Sequence, residues 1–146
     1  MAAGAQMQYP TSGWGGIAPG EVLLGELIGA NMNSTADQVI PLSYPSRHFF
    51  ITRIIVSSAS ISLTTAVGGI YQAASKAGTP LVANTQAYST LTAAAVNAAG
   101  SALALTLATV VTTGIFDLTK LYFSLTTAQG AAATANIRVY GHPLYQ

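Results

Sequence analysis

The chain has 146 residues, of which 6% are charged and 51% hydrophobic, with five basic and four acidic side chains and a net charge of +1. An ordinary soluble domain is about 25% charged, so a free-standing globule of this composition would present an apolar, weakly repelling surface to water. The charge balance offers no basic face for nucleic acid, and the absence of cysteine excludes a disulfide framework and a thiolate metal site.

Residues 1–20 combine five glycines with Pro10 and Pro19 and carry no periodicity. The first ten residues lack a basic segment followed by an apolar one, so they do not read as a signal peptide. A frayed terminus is the simpler reading of such a composition. The sharper reading is an extended arm that lies on a neighbouring subunit. Tyr9, Trp14 and Ile17 would be its anchors, because aromatic side chains are favoured at interfaces. The expected organisation is an arm over 1–20 and one β-sandwich domain over 21–146.

Period-two alternation then recurs along the chain. Val22, Leu24 and Ile28 share one parity, with Glu26 as the exception. Residues 47–57 (RHFFITRIIVS) are β-branched and aromatic and read as a strand apolar on both faces. Ile61, Leu63 and Thr65 alternate with serine and threonine. Gly68-Gly69, the run from Lys76 to Pro80, Ala99-Gly100-Ser101 and Gln129-Gly130 read as turns. Residues 73–76 and 93–99 have helical propensity but predict short turns at most.

From 77 to 116 no side chain is charged. The window 93–115 is long enough to span a membrane. Yet Asn97, Ser101, Thr106 and Gly100 interrupt it, and no Lys/Arg cluster flanks it. Leu103, Leu105, Leu107, Thr109 and Val111 alternate with smaller residues, which predicts a strand and not a membrane helix. Leu121, Phe123 and Leu125 continue the pattern, and Ala135, Ile137 and Val139 are its cleanest case. Short strands divided by Gly, Pro, Ser and Asn predict an all-β fold. The expected form is a single jelly-roll-like sandwich of about eight antiparallel strands.

Catalytic chemistry is poorly provided for. Glu21, Glu26, Asp37 and Asp117 are the acids, and His48 and His142 the groups that titrate near neutrality. No serine lies in a Gly-x-Ser-x-Gly elbow. His48 reads as a residue near a strand end and His142 as a turn residue before Pro143. No His-x-His spacing or carboxylate cluster suggests a metal, and Gly13-Trp14-Gly15-Gly16 lacks the Lys-Ser/Thr of a phosphate loop. No catalytic residue, cofactor or metal is expected. Arg138 sits on the outward parity of its strand and fits an edge-protecting charge. Arg53, inside an apolar run, needs a partner or an exit to solvent. It is therefore the candidate interface residue among the charges.

Residues 54–66 (IIVSSASISLTTA), 68–76 (GGIYQAASK), 121–130 (LYFSLTTAQG) and 135–141 (ANIRVYG) resemble small structural proteins of tailed bacteriophages, in particular the jelly-roll head decoration (cement) proteins. The resemblance covers about the last two-thirds of the chain and leaves the arm outside it. It implies a non-enzymatic subunit on the capsid exterior, made in the host cytoplasm. The implied partners are the major capsid protein and further copies of the chain, as a dimer or trimer, with no nucleic acid or membrane. Other phage components (head fibre, neck or tail), a pilin-like subunit polymerising by strand donation, and a carbohydrate-binding module are the alternatives.

Overall fold

The computed structural model describes residues 20–43 and 48–144. In chain order these form β1 (Val22–Asn31), β2 (Gln38–Pro41), β3 (His48–Ser57), β4 (Val67–Ala73), β5 (Ala77–Val82), β6 (Ala102–Ala104), a short helix α1 (Thr109–Thr113), β7 (Lys120–Thr127) and β8 (Thr134–Leu144). The strands build two antiparallel four-stranded sheets, ordered β1-β8-β3-β6 (sheet I) and β2-β7-β4-β5 (sheet II). The chain is nested on itself: β1 lies beside β8, β2 beside β7, β3 beside β6 and β4 beside β5. This is a long antiparallel hairpin rolled into a sandwich, the jelly-roll arrangement expected from the strand pattern. The expected arm over 1–20, with Tyr9, Trp14 and Ile17, lies outside the described residues except for Gly20.

Alternation dictates the core. β8 runs through the middle of sheet I and buries every second residue: Ala135, Ile137, Val139, Gly141 and Pro143. From sheet II, Leu121, Phe123 and Leu125 face them, all with no exposure. Tyr88 enters from the β5–β6 loop, sets its ring edge-on to Phe123 at 6.1 Å and donates its hydroxyl to the Gly68 carbonyl. Such an aromatic pair adds specificity beyond area burial.

Several expectations meet a different outcome, each for a visible reason. β3 is not apolar on both faces. A bulge between Ile51 and Arg53 inserts one residue against β8, so inward positions change from Phe49 and Ile51 to Ile54 and Val56. A bulge does this because the extra residue shifts side-chain parity by one. β1 has two irregularities of the same kind; Leu24 is buried, whereas Ile28 is 56% exposed.

The segment 58–66 is not a strand. The N–H groups of Thr65 and Ala66 donate to the Gln129 side-chain oxygen, and Leu63 N–H donates to the Leu91 carbonyl. Its backbone groups are thus satisfied outside any ladder. Gly68-Gly69 is not a turn but the interior of β4. A Cβ at Gly68 would come within 2.4 Å of the Leu125 backbone, and one at Gly69 within 2.3 Å of the Val82 carbonyl oxygen. Glycine is required there by close backbone approach.

The alternating run from Leu103 is extended at its start but is no single strand. Leu103 pairs with Val56 of β3, while Leu107 bridges to Val82 of β5. The chain crosses from one sheet to the other, closes that flank of the sandwich and turns into α1. His142 belongs to β8, opposite Phe50, and not to a turn. No helix among the described residues is long and apolar enough to cross a membrane.

Candidate interaction surfaces

Arg53 owes its position to the β3 bulge, which turns both Thr52 and Arg53 outward. The guanidinium finds both a partner and solvent: Nε lies 2.7 Å from Glu21 Oε1, and the side chain is 54% exposed. It also sits 4.9 Å from the centre of the Tyr140 ring, a cation–π distance. Glu21 accepts a second hydrogen bond from the Thr52 hydroxyl. That bond, opposed by partial burial and aided by Arg53, holds the Glu21 carboxyl below its ordinary value of 4.5.

Arg138 makes the second ion pair, with Nε 3.3 Å from Glu26 Oε1. The two residues are directly opposed between β1 and β8, which is why Glu26 breaks the apolar parity of β1. Four of the chain's nine charged side chains therefore lie paired on the outer face of sheet I. Around them Leu23 and Ile28 are exposed at 39% and 56%.

The outer face of sheet II is arranged differently. The β1–β2 loop crosses it, with the Thr35 carbonyl accepting from the Ser124 hydroxyl and from Lys76 Nζ. Asp37 accepts the Ser75 backbone N–H, which holds its carboxyl below the ordinary 3.8. Tyr71 is 3% exposed although it occupies an outward position opposite Tyr122.

A third surface is the flank formed by β5, the β5–β6 loop, β6 and the segment through α1. β5 and β6 are the adjacent edge strands of the two sheets. This flank is the charge-free stretch 77–116. Most of it faces outward: Val96 is 85% exposed, Ile115 55% and Val110 38%. A groove of about 340 Å³ runs along it between Pro80, Ala83 and Gln86 on one side and Thr106, Leu107 and Ala108 on the other. Its polar groups are hydroxyl, amide and backbone, with no titratable side chain.

A second groove, about 320 Å³, is lined by Val111 and Thr112 of α1, by Phe50, Ile51 and Thr52 of β3 and by His142 of β8. His142 is the one titratable group lining it, and the Glu21 carboxylate lies within electrostatic range of that imidazole. Among the described residues no three His, Asp or Glu side chains gather into a metal ligand set.

Sequence reasoning singled out Arg53 as needing a partner or solvent, the outward Arg138 and the charge-free stretch. It missed that the stretch collects on one flank and that both ion pairs share one face. The only signal for the second was the parity exception at Glu26. Tyr9, Trp14 and Ile17 lie outside the described residues. Comparison with family models, curated proteins and solved structures finds no match to this chain.

Proposed function

We propose that this chain is a structural virion subunit, a capsid decoration or cement protein. It binds the outside of an assembled phage head and stabilises the shell by bridging major capsid proteins. The carrying observation is the outward-facing, charge-free flank over 77–116. A large uncharged surface on a free monomer invites association, and burial against a shell accounts for it. The jelly roll is compatible with this role and also serves lectins and cupins, so fold alone decides nothing. No grouping of titratable side chains in either groove argues for an enzyme instead.

Decoration stabilises by linkage. A subunit that binds only the assembled shell adds free energy in proportion to the logarithm of its concentration over Kd, and symmetry repeats the contact over the whole head. The role requires shape and surface but no cofactor. A pilin-like strand donor fits less well. β8 of the same chain already fills the central position of sheet I beside β1 and β3, so that sheet offers no vacated strand site for a donor.

The test is to mix purified protein with undecorated heads and measure co-sedimentation, copy number and the temperature of genome release. Saturable binding in hundreds of copies with a raised release temperature supports the reading. Absence of binding with no gain in heat resistance overturns it.

A further inference from the structure

We propose that a second copy of this chain docks on the outer face of sheet I, about a twofold axis that runs above the Glu26–Arg138 pair, between the two facing copies. The proposal specifies the self-association included in the decoration reading. It is tested on free protein, so its failure is distinct from a failure to bind heads.

The argument starts from register. On the outward side of β1 and β8, Leu23 stands opposite Tyr140 and Glu26 opposite Arg138. Acid lies on β1 and base on β8. A twofold axis parallel to the strands and midway between them exchanges β1 of one copy with β8 of the other. Each Glu26 then faces the Arg138 of the second copy, and each Leu23 faces a Tyr140. The dyad thus builds a ring of four alternating charges flanked by two apolar contacts. An axis across the strands would set acid over acid, so the charge pattern selects one docking geometry.

Exposure supports an unfinished surface. The Arg138 and Glu26 side chains are 34% and 37% exposed, which leaves both able to accept a further partner. Leu23 and Ile28 are large apolar side chains turned to water beside them. The outer face of sheet II, by contrast, is crossed by the β1–β2 loop. A ten-residue strand such as β1 is about 33 Å long, and two neighbouring strands span about 10 Å, giving roughly 330 Å² in flat projection. The pleat and side chains enlarge this, but it stays below the roughly 800 Å² per partner of a standard interface, in the range of weak, transient contacts. The dimer expected is therefore reversible and salt-sensitive, since exposed charge pairs are screened.

Sedimentation velocity across micromolar protein concentrations, at low and high salt, reads the result. The expected species is a dimer of twice the 14.9 kDa chain mass that dissociates on dilution and in salt. Arg138→Glu, which sets like charges across the dyad, raises the dimer Kd at least tenfold. Ile28→Glu does the same and removes no native ion pair, so it stands if the first variant folds poorly. The exchange variant Glu26→Arg/Arg138→Glu self-associates again. It refuses to mix with the unaltered chain, because wild-type acid would then face mutant acid; subunit exchange by native mass spectrometry measures this. A monomer at every concentration, a trimer, or a dimer indifferent to all these substitutions overturns the proposal.

Discussion

Gln129 is 9% exposed and uses every polar atom of its side chain. Its oxygen accepts from Thr65 and Ala66 N–H at 3.1 and 3.2 Å, and its amide nitrogen donates to the Ser62 carbonyl and the Thr64 hydroxyl, both at 3.3 Å. Gln129→Ala leaves the buried Ala66 N–H without a partner, while the part-buried groups at 62–65 can turn to water, and an unsatisfied buried group costs about 1–3 kcal/mol. The expected loss is about 1–3 kcal/mol in urea unfolding, with the 58–66 loop losing amide-exchange protection first. In the sequence Gln129 appears only as half of a Gln-Gly turn, because its partners lie more than 60 residues away. Tyr88 gives a second prediction. Burial raises its phenol well above the ordinary 10.0, so its contribution is intact below pH 10 and is lost as pH rises further, since the unfolded chain ionises first. Urea midpoints measured from pH 9 upward should fall above pH 10. Tyr88→Phe should flatten that fall by up to about 1.4 kcal/mol per pH unit.

Elements are where the alternation was read well and its interruptions were not. β8 carries no extra residue in either of its pairings and β7 only Thr126 near its end, against the Val67–Gly68 step of β4, so their alternation was legible residue by residue. β1 and β3 were legible as strands, but their bulges exchanged inward and outward positions, and no residue type marks a bulge unambiguously. The β4–β5 hairpin shows the same limit in a turn. Gly78 and Pro80 suggested a turn over 76–80, yet both lie in β5. β5 is an edge strand of sheet II, where a proline is tolerated. The actual turn is closed by Ala77 N–H donating to the Ala74 carbonyl at 3.2 Å. Its central residues, Ser75 and Lys76, have φ of 61° and 58°. Two positive values make this the hairpin turn that favours Asn-Gly, and a side chain in that region costs about 1–2 kcal/mol. Lys76→Gly removes the strain but also the Nζ bond to the exposed Thr35 carbonyl. A net stabilisation of about 0.5–1 kcal/mol is expected in urea unfolding. Asp37 anchors the turn through the Ser75 backbone N–H, which no side-chain change at 76 removes.

At the scale of the whole molecule, the all-β class was readable because alternation is local, but alternation did not place every strand: 58–66 alternates and is no strand, while β2, β4 and β5 were not read from it. The pairing of β1 with β8 joins the ends of the domain and leaves no local trace. The same holds for the distribution of charge. The stretch 77–116 is charge-free in sequence, but only the fold gathers it onto one flank, because β5 and β6 are the neighbouring edges of the two sheets. If that flank meets the shell, charges placed there should abolish binding and leave the subunit itself intact. Val96 is 85% exposed, and Thr85 borders the flank groove; substitutions at such surface positions usually change stability by less than about 0.5 kcal/mol. Val96→Lys/Thr85→Lys should therefore keep the parent's melting temperature and its dimer mass. On a shell complementary to an uncharged flank, two desolvated ammonium groups without partners should weaken head binding at least a hundredfold. Val39→Lys provides the control, since Val39 is 43% exposed on β2, an edge strand away from the flank. Head binding that survives the flank variant and fails with Val39→Lys would move the shell contact to the β2 side.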